Sequence, residues 1–283
     1  MTARGIAILL LVSALGGGHI ALGQTSAPPP TAAEILAGMR PSGTTSGFVL
    51  RTRLVRTAPG LAKPEVQQML IKGRRVGDTF KVLCQILWPP AVKGRALYTE
   101  VSSNRTMSGF IFEPPDTVTP LTPEKMSEPL FGSDVSVGDM AEDFWQWPGP
   151  VVAGEETVDK RACRIIEFHA PAGASTNCLR VKVWISPDVA SPLRVEKFRA
   201  DGQLMTRISA QRLVKQSTNR LAVATRLVEI PARQSRVVIE TTGGSGDADV
   251  PEVDFTLEKI KGWLHDDASA STHSPGRSPP GPE

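Results

Sequence analysis

The chain has 283 residues, 22% of them charged, and a formal net charge of +3 with both signs interspersed. That balance excludes a disordered chain, and without a long Lys/Arg block it gives no footprint for nucleic acid. The length allows one large all-β domain or two small ones, in either case with a real core.

Met1 to Gly23 reads as a secretory signal. Arg4 is the positive start, Gly5 to Leu15 the apolar core, and Ala21-Leu22-Gly23 a small-x-small cleavage site before Gln24. The competing reading is an uncleaved anchor, which Gly16-Gly17-Gly18 and His19 weaken. Cleavage removes one positive charge, Arg4, and takes the net charge from +3 to +2. The run Gly16-Gly17-Gly18-His19-Ile20-Ala21 formally matches a dinucleotide fingerprint, but no strand precedes it and it lies inside the export signal, so it is discarded.

Residues 24–30 are a Pro-rich linker, and residues 31–265 are the expected folded domain. Thr31-Ala32-Ala33-Glu34 is a capping box that opens a short helix through Met39, with Ile35, Leu36 and Met39 on one side. From Ser46 the pattern changes to period two, and strands follow at Gly47 to Thr57, Val66 to Lys72, Asp78 to Leu87, Arg95 to Val101 and Met107 to Phe112. Gly73, Pro89-Pro90, Gly94 and Pro114-Pro115 punctuate them, as in a meander.

Leu130 to Trp147 carries the strongest helical signal. Ser136 is the N-cap, Asp139 sits where a capping box wants an acid, and Val137, Met140, Ala141, Phe144 and Trp145 form one apolar stripe that Pro148 ends. Such a helix between two runs of strands must lie across a sheet. Asp134 and Asp139 flank its start, where carboxylates satisfy free backbone N–H groups.

Strands then resume. Cys163 to His169 and Cys178 to Ile185 form a hairpin, with Leu179, Val181, Val183 and Ile185 on a buried face and Arg180, Lys182 and Trp184 on a wet one. A turn at Gly173 and Ala174 sets 166 opposite 181, Cys163 opposite Trp184 and Cys178 opposite His169. A Cys163–Cys178 disulfide therefore needs a bulge or a shifted register, and remains an open alternative in an oxidising compartment. Asp201-Gly202 is the favoured two-residue turn and pairs Phe198 with Met205, Glu196 with Arg207 and Val195 with Ile208. Leu221 to Ile230 and Arg236 to Thr242 add two strands, Asp254 to Ile260 starts a closing helix, and residues 266–283 read as a disordered tail. The expectation is a mainly β fold: a curled antiparallel sheet of about ten or eleven strands, a half-open barrel with one helix covering its concave face.

Catalytic signals are absent. There is no G-x-S-x-G, H-E-x-x-H, P-loop or C-x-x-C, so no catalytic residue, metal site or cofactor is assigned. After the signal the histidines are His169, in a strand, and His265 and His273, at or in the tail. Glu155-Glu156 and Asp266-Asp267 are adjacent acids read as solvated loop residues.

Phe131-Gly132-Ser133-Asp134 followed by Ser136 and Asp139, Trp88-Pro89-Pro90 with Lys93-Gly94, Gly154-Glu155-Glu156, Pro192 to Glu196 with Asp201-Gly202, and Phe255-Thr256 occur in one order. Together they resemble the periplasmic outer-membrane lipoprotein-sorting proteins, the LolA-like half-barrels. The strand before Phe131 departs from that pattern: it reads Ser108 to Pro115 and lacks the usual Tyr. The resemblance implies a non-enzymatic periplasmic carrier whose cavity takes the acyl chains of a lipid or lipoprotein, with an inner- or outer-membrane protein as partner. The cavity candidates are Leu97, Phe110, Phe112, Val181, Val183 and Ile185 on strands, and Val137, Met140, Phe144 and Trp145 on the covering helix. One rival reading is a periplasmic regulatory or scaffold domain that binds a protein partner through the same fold; the other is a hydrolase with scattered catalytic residues.

Overall fold

The computed structural model describes residues 29–39, 47–102, 106–141, 143–172, 174, 176–215 and 221–263. The expected signal segment, residues 24–28 of the linker and the tail from residue 266 lie outside these. Every element below belongs to the compact unit that begins at Thr31.

Helix α1 (Ala32–Met39) is opened by the expected capping box: Thr31 N and Oγ1 both donate to Glu34 Oε2, at 2.7 and 2.8 Å. The first meander is β1 (Gly47–Thr57), β2 (Glu65–Val76), β3 (Thr79–Trp88), β4 (Ala96–Val101), β5 (Met107–Glu113) and β6 (Thr117–Pro120). After α2 (Val137–Ala141) comes the second: β7 (Val151–Val158), β8 (Arg161–His169), β9 (Arg180–Ile185), β10 (Arg194–Phe198), β11 (Leu204–Lys215), β12 (Leu221–Ile230) and β13 (Ser235–Ser245). A helix over residues 257–263, α3, follows a 3₁₀ turn at Glu252–Phe255 that occupies the start of the expected closing helix.

All thirteen strands form one antiparallel sheet in the order β6-β5-β4-β3-β2-β1-β13-β12-β11-β10-β9-β8-β7. Each meander is thus laid down in chain order, and the pairing of β1 with β13 is the seam between them. The sheet curls without closing, and α2 lies over its concave face. β6 and β7 were not expected. A Thr-Val-Thr run resumes pairing after Pro114-Pro115, and β7 takes up the segment around Glu155-Glu156 that was expected to be loop. Gly154, at a bulge in β7 with φ 146°, makes that strand possible. Glu155 and Glu156 therefore stand on β7, not in a loop; Glu156 accepts from Trp184 Nε1 at 2.7 Å.

The long helix expected from Ser136 to Trp147 is two short pieces, α2 and a 3₁₀ turn at Asp143–Gln146. Gly138 and Asp139 are weak helix formers, and the aromatic run settles into a tight turn with Trp147 N bonded to Phe144 O at 3.0 Å. The stripe survives the break: Val137 and Phe144 are fully buried, and Met140, Ala141 and Trp145 are half-buried.

At Asp201-Gly202, where Gly202 takes φ 80°, Val195 pairs with Ile208 and Glu196 with Arg207 as read. A bulge then sets Phe198 opposite Leu204 in place of Met205. In the β8–β9 hairpin Ile166 faces Val183, two residues from the expected register. Cys163 is a buried free thiol and makes no bridge to Cys178.

Two apolar clusters fill the lid side of the sheet. One gathers Leu54, Met69, Ile86 and Leu97 under Leu130, Phe131 and Val137. The other packs Ile166, Phe168, Val181 and Val183 against Phe144, Trp147 and α1. Each fully buried side chain of this size stabilises the fold by roughly 1.5–3 kcal/mol. The opposite face is covered too. Val250, Phe255 and Ile260 close over Tyr98 and Phe112, and Val189 and Leu193 over Trp184, which is buried and not on a wet face.

Candidate functional site: a lidded cavity across the seam

The lid is fixed by its own sequence. Phe131 (φ 52°) and Gly132 (φ 77°) reverse the chain, Ser133 Oγ donates to Leu130 O at 2.7 Å, and Gln67 Nε2 on β2 donates to Phe131 O at 2.8 Å. Asp134 is not a helix cap. It accepts from Arg56 Nε on β1 at 2.5 Å, from Arg233 Nη1 at 2.9 Å and from Ser235 Oγ on β13, so one buried carboxylate ties the lid to both sides of the seam. Burial opposes its charge, but hydrogen bonds from Arg56, Ser235 and Arg233 prevail and hold it below the ordinary carboxylate value.

Asp139 does close the expected capping box. Ser136 N donates to its Oδ2 at 3.1 Å, and Asp139 N donates to Ser136 Oγ at 3.0 Å. It also meets Lys197 on β10, with Nζ 2.8 Å from Oδ1 and side-chain exposures of only 8% and 5%. Lys197 Nζ lies 5.4 Å from the centre of the Phe144 ring. Here too burial penalises the carboxylate, and the Lys197 charge with the hydrogen bonds from Lys197 and Ser136 holds it below its ordinary value. The lid is thus clasped at two points by buried carboxylates.

Between lid and sheet lies a cavity of about 430 Å³. Its roof is Val135, Met140, Ala141 and Trp145. The first meander contributes Phe48, Leu50, Ile71 and Val82 to its floor, and the second Ile208, Val223, Val228 and Ile239, so the hollow straddles the seam. Gly73 makes room for this wall, because a Cβ there would sit 2.1 Å from the Phe48 ring. Thr52, Thr99 and Thr241 add hydroxyls, and Arg75 and Arg226 add guanidinium groups. Burial pushes the Cys84 thiol in the wall up to about 12, which keeps it protonated and unreactive. A smaller hollow of about 210 Å³ is lined by Ser127, Asp134, Arg199 and Arg233 among others.

Of the ten residues read from sequence as cavity candidates, Met140 and Trp145 line the hollow. Leu97 and Val137 belong to the core cluster beside it, and Phe144, Val181, Val183 and Ile185 pack on one another in the second cluster. Phe110 and Phe112 face the other side of the sheet; the Phe110 ring lies 5.1 Å from that of Tyr98. The floor residues Phe48 and Leu50 lie outside the expected set, although they alternate along β1 with Thr52 and Leu54. That alternation was the available signal. His169 is exposed at the end of β8, with its Nε2 2.8 Å from Glu167 Oε1. Among the described residues no cluster of His, Cys, Asp and Glu is arranged to hold a metal ion.

No curated protein matches the chain. Solved structures do. A DUF1329 family protein from Desulfovibrio piger is 18% identical with a TM-score of 0.71, covering 80% of this chain and 96% of that one. A putative outer membrane lipoprotein-sorting protein domain from Vibrio parahaemolyticus is 17% identical with a TM-score of 0.70, covering 81% and 96%. A LolA superfamily protein from Nitrosomonas europaea is 17% identical with a TM-score of 0.63, covering 81% and 99%. A family model described as "Uncharacterized protein" matches residues 78–262, more than half of the chain. The chain therefore belongs to the family that this model describes, and its fold is the lidded half-barrel of the LolA-like lipoprotein-sorting proteins.

Proposed function

We propose that the mature chain, beginning near Gln24, is a periplasmic carrier that holds acyl chains of a lipid or lipoprotein under its lid and passes them to a membrane-protein partner. The observation that carries this reading is the 430 Å³ hollow with its largely hydrocarbon wall. Its volume lies within the range of about 300–1,000 Å³ typical of small-molecule sites. A methylene takes up about as much room as a water molecule in the liquid, ~30 Å³, so the hollow has space for roughly fourteen. Removing that many from water is worth about 11 kcal/mol at ~0.8 kcal/mol each, enough to hold a chain with no catalytic group in the wall.

The test is to purify the exported protein, establish its first residue, extract it with organic solvent and identify the extract by mass spectrometry. Stoichiometric acyl lipid supports the carrier. A delipidated protein that takes up no acyl probe refutes it. The scaffold reading draws on a different observation: β7 is an edge strand on which Val151 is 50% exposed, a place where a partner's strand can add. A protein complex that forms on the β7 edge and is indifferent to lipid would favour it.

A further inference from the structure

The wall of the cavity is not uniformly greasy, and its polar groups are grouped. On β12, Arg226 stands directly opposite Ile239 of β13; two residues along the same face, Thr241 pairs with Thr52 of β1. Arg226, Thr241 and Thr52 thus form one patch on three adjacent strands at the seam, and all three line the hollow. Arg226 is half-buried and has no hydrogen bond, ion pair or ring contact among the described residues. Thr52 is 4% exposed, and its Oγ1 has no hydrogen-bond partner among them.

Guanidinium stays charged at any physiological pH, and setting it in an apolar wall without a counter-charge is costly. A buried hydroxyl without a partner is costly as well. Among the described residues the one acid in the wall is Asp139, which is already taken by Lys197 and cannot relieve Arg226. What the described residues do not supply beside this patch is an anion.

We propose that the cavity takes a single-chain amphiphile with an anionic head, a carboxylate or a phosphate monoester. Arg226 grips the head through its planar fork, the hydroxyls of Thr52 and Thr241 donate to the same oxygens, and the tail runs under Met140 and Trp145. This rests on the acyl-chain reading above and adds to it the charge of the head and the residue that selects it.

Displacement of a fluorescent acyl probe from delipidated mature protein tests it, with palmitate, hexadecanol, lysophosphatidate and inorganic phosphate as competitors. An ion pair desolvated in this way is worth about tenfold or more in affinity. Palmitate or lysophosphatidate should therefore displace the probe at a tenth or less of the concentration needed with hexadecanol. Whichever of the two acts at the lower concentration identifies the head as carboxylate or phosphate. Arg226→Met should bring the anionic competitors to parity with hexadecanol while hexadecanol itself is unchanged, and Arg226→Lys should keep part of the preference. Equal displacement by palmitate, lysophosphatidate and hexadecanol in the wild type overturns the inference without any variant, as does a preference that survives Arg226→Met. Displacement by inorganic phosphate alone, as strong as by lysophosphatidate, overturns it in favour of a free-anion site. If neither the probe nor any acyl competitor binds, the acyl-chain reading has failed and this inference goes with it.

Discussion

Removing one partner of the Asp139–Lys197 pair should loosen the lid by an amount that its geometry sets. The two charges are 2.8 Å apart and both side chains are more than nine-tenths buried. At an effective dielectric constant of about 20 their attraction is about 6 kcal/mol, most of it offset by the desolvation of both groups. Truncating a single partner leaves the other buried and uncompensated, which costs about 3–5 kcal/mol. Asp139→Asn isolates the charge because the amide oxygen can still accept from Ser136 N. Lys197→Met removes the charge that sits over the Phe144 ring but keeps an unbranched apolar side chain at that position. Urea titration should show midpoints falling with the slope unchanged in both single variants. The double variant should be far less destabilised than the sum of the two, with a coupling of about 2 kcal/mol or more. Single losses under about 1 kcal/mol that add within ~0.5 kcal/mol would mean that packing alone seats the lid.

Acid should release the same clasp. Asp134 and Asp139 are both held below the ordinary value of 3.8 in the fold, so the stability they contribute is fully present above about 3.8 and is lost as pH falls through their lower folded values. Circular dichroism followed from pH 7 downward checks this, and Asp139→Asn should flatten the acid limb. Leu50→Trp fills part of the hollow from its floor, and should abolish acyl-probe uptake while leaving the melting temperature within a few degrees. Ile86→Ala empties a fully buried site in the cluster under the lid, and should lower stability by about 2–5 kcal/mol in a urea titration. Gly244→Ala should weaken the seam, because Gly244 takes φ 122° and an added Cβ would lie 2.1 Å from Val49 O; faster amide exchange in β1 and β13 is the readout.

What could be read from sequence was local. The two capping boxes, at Thr31–Glu34 and Ser136–Asp139, formed as their residue types required, and Asp201-Gly202 set the register of its hairpin up to the bulge at Phe198. The β8–β9 hairpin shows the limit. A slip of one residue turns every side chain to the wrong face, but a slip of two changes none, so alternation alone could not choose between 181 and 183 as the partner of Ile166. The lid was overextended because an apolar stripe looks the same whether it is one helix or two short turns. Phe110 and Phe112 were grouped with Leu97 because all three are apolar; the register Leu97–Ile111 puts the two phenylalanines on the opposite face. The floor of the cavity straddles strands from both ends of the chain, and nothing local announces that β1 and β13 meet.

That meeting has a cost during synthesis. Thr57 Oγ1 donates to the carbonyl of Arg236 across 179 residues of chain, so a chain made N-terminus first holds β1 with a bare outer edge until nearly everything else has been made. An unsatisfied strand edge is an invitation to aggregate. The protein's most hazardous interval during synthesis thus falls before its last hairpin arrives, and factors that shield extended segments bear on its yield.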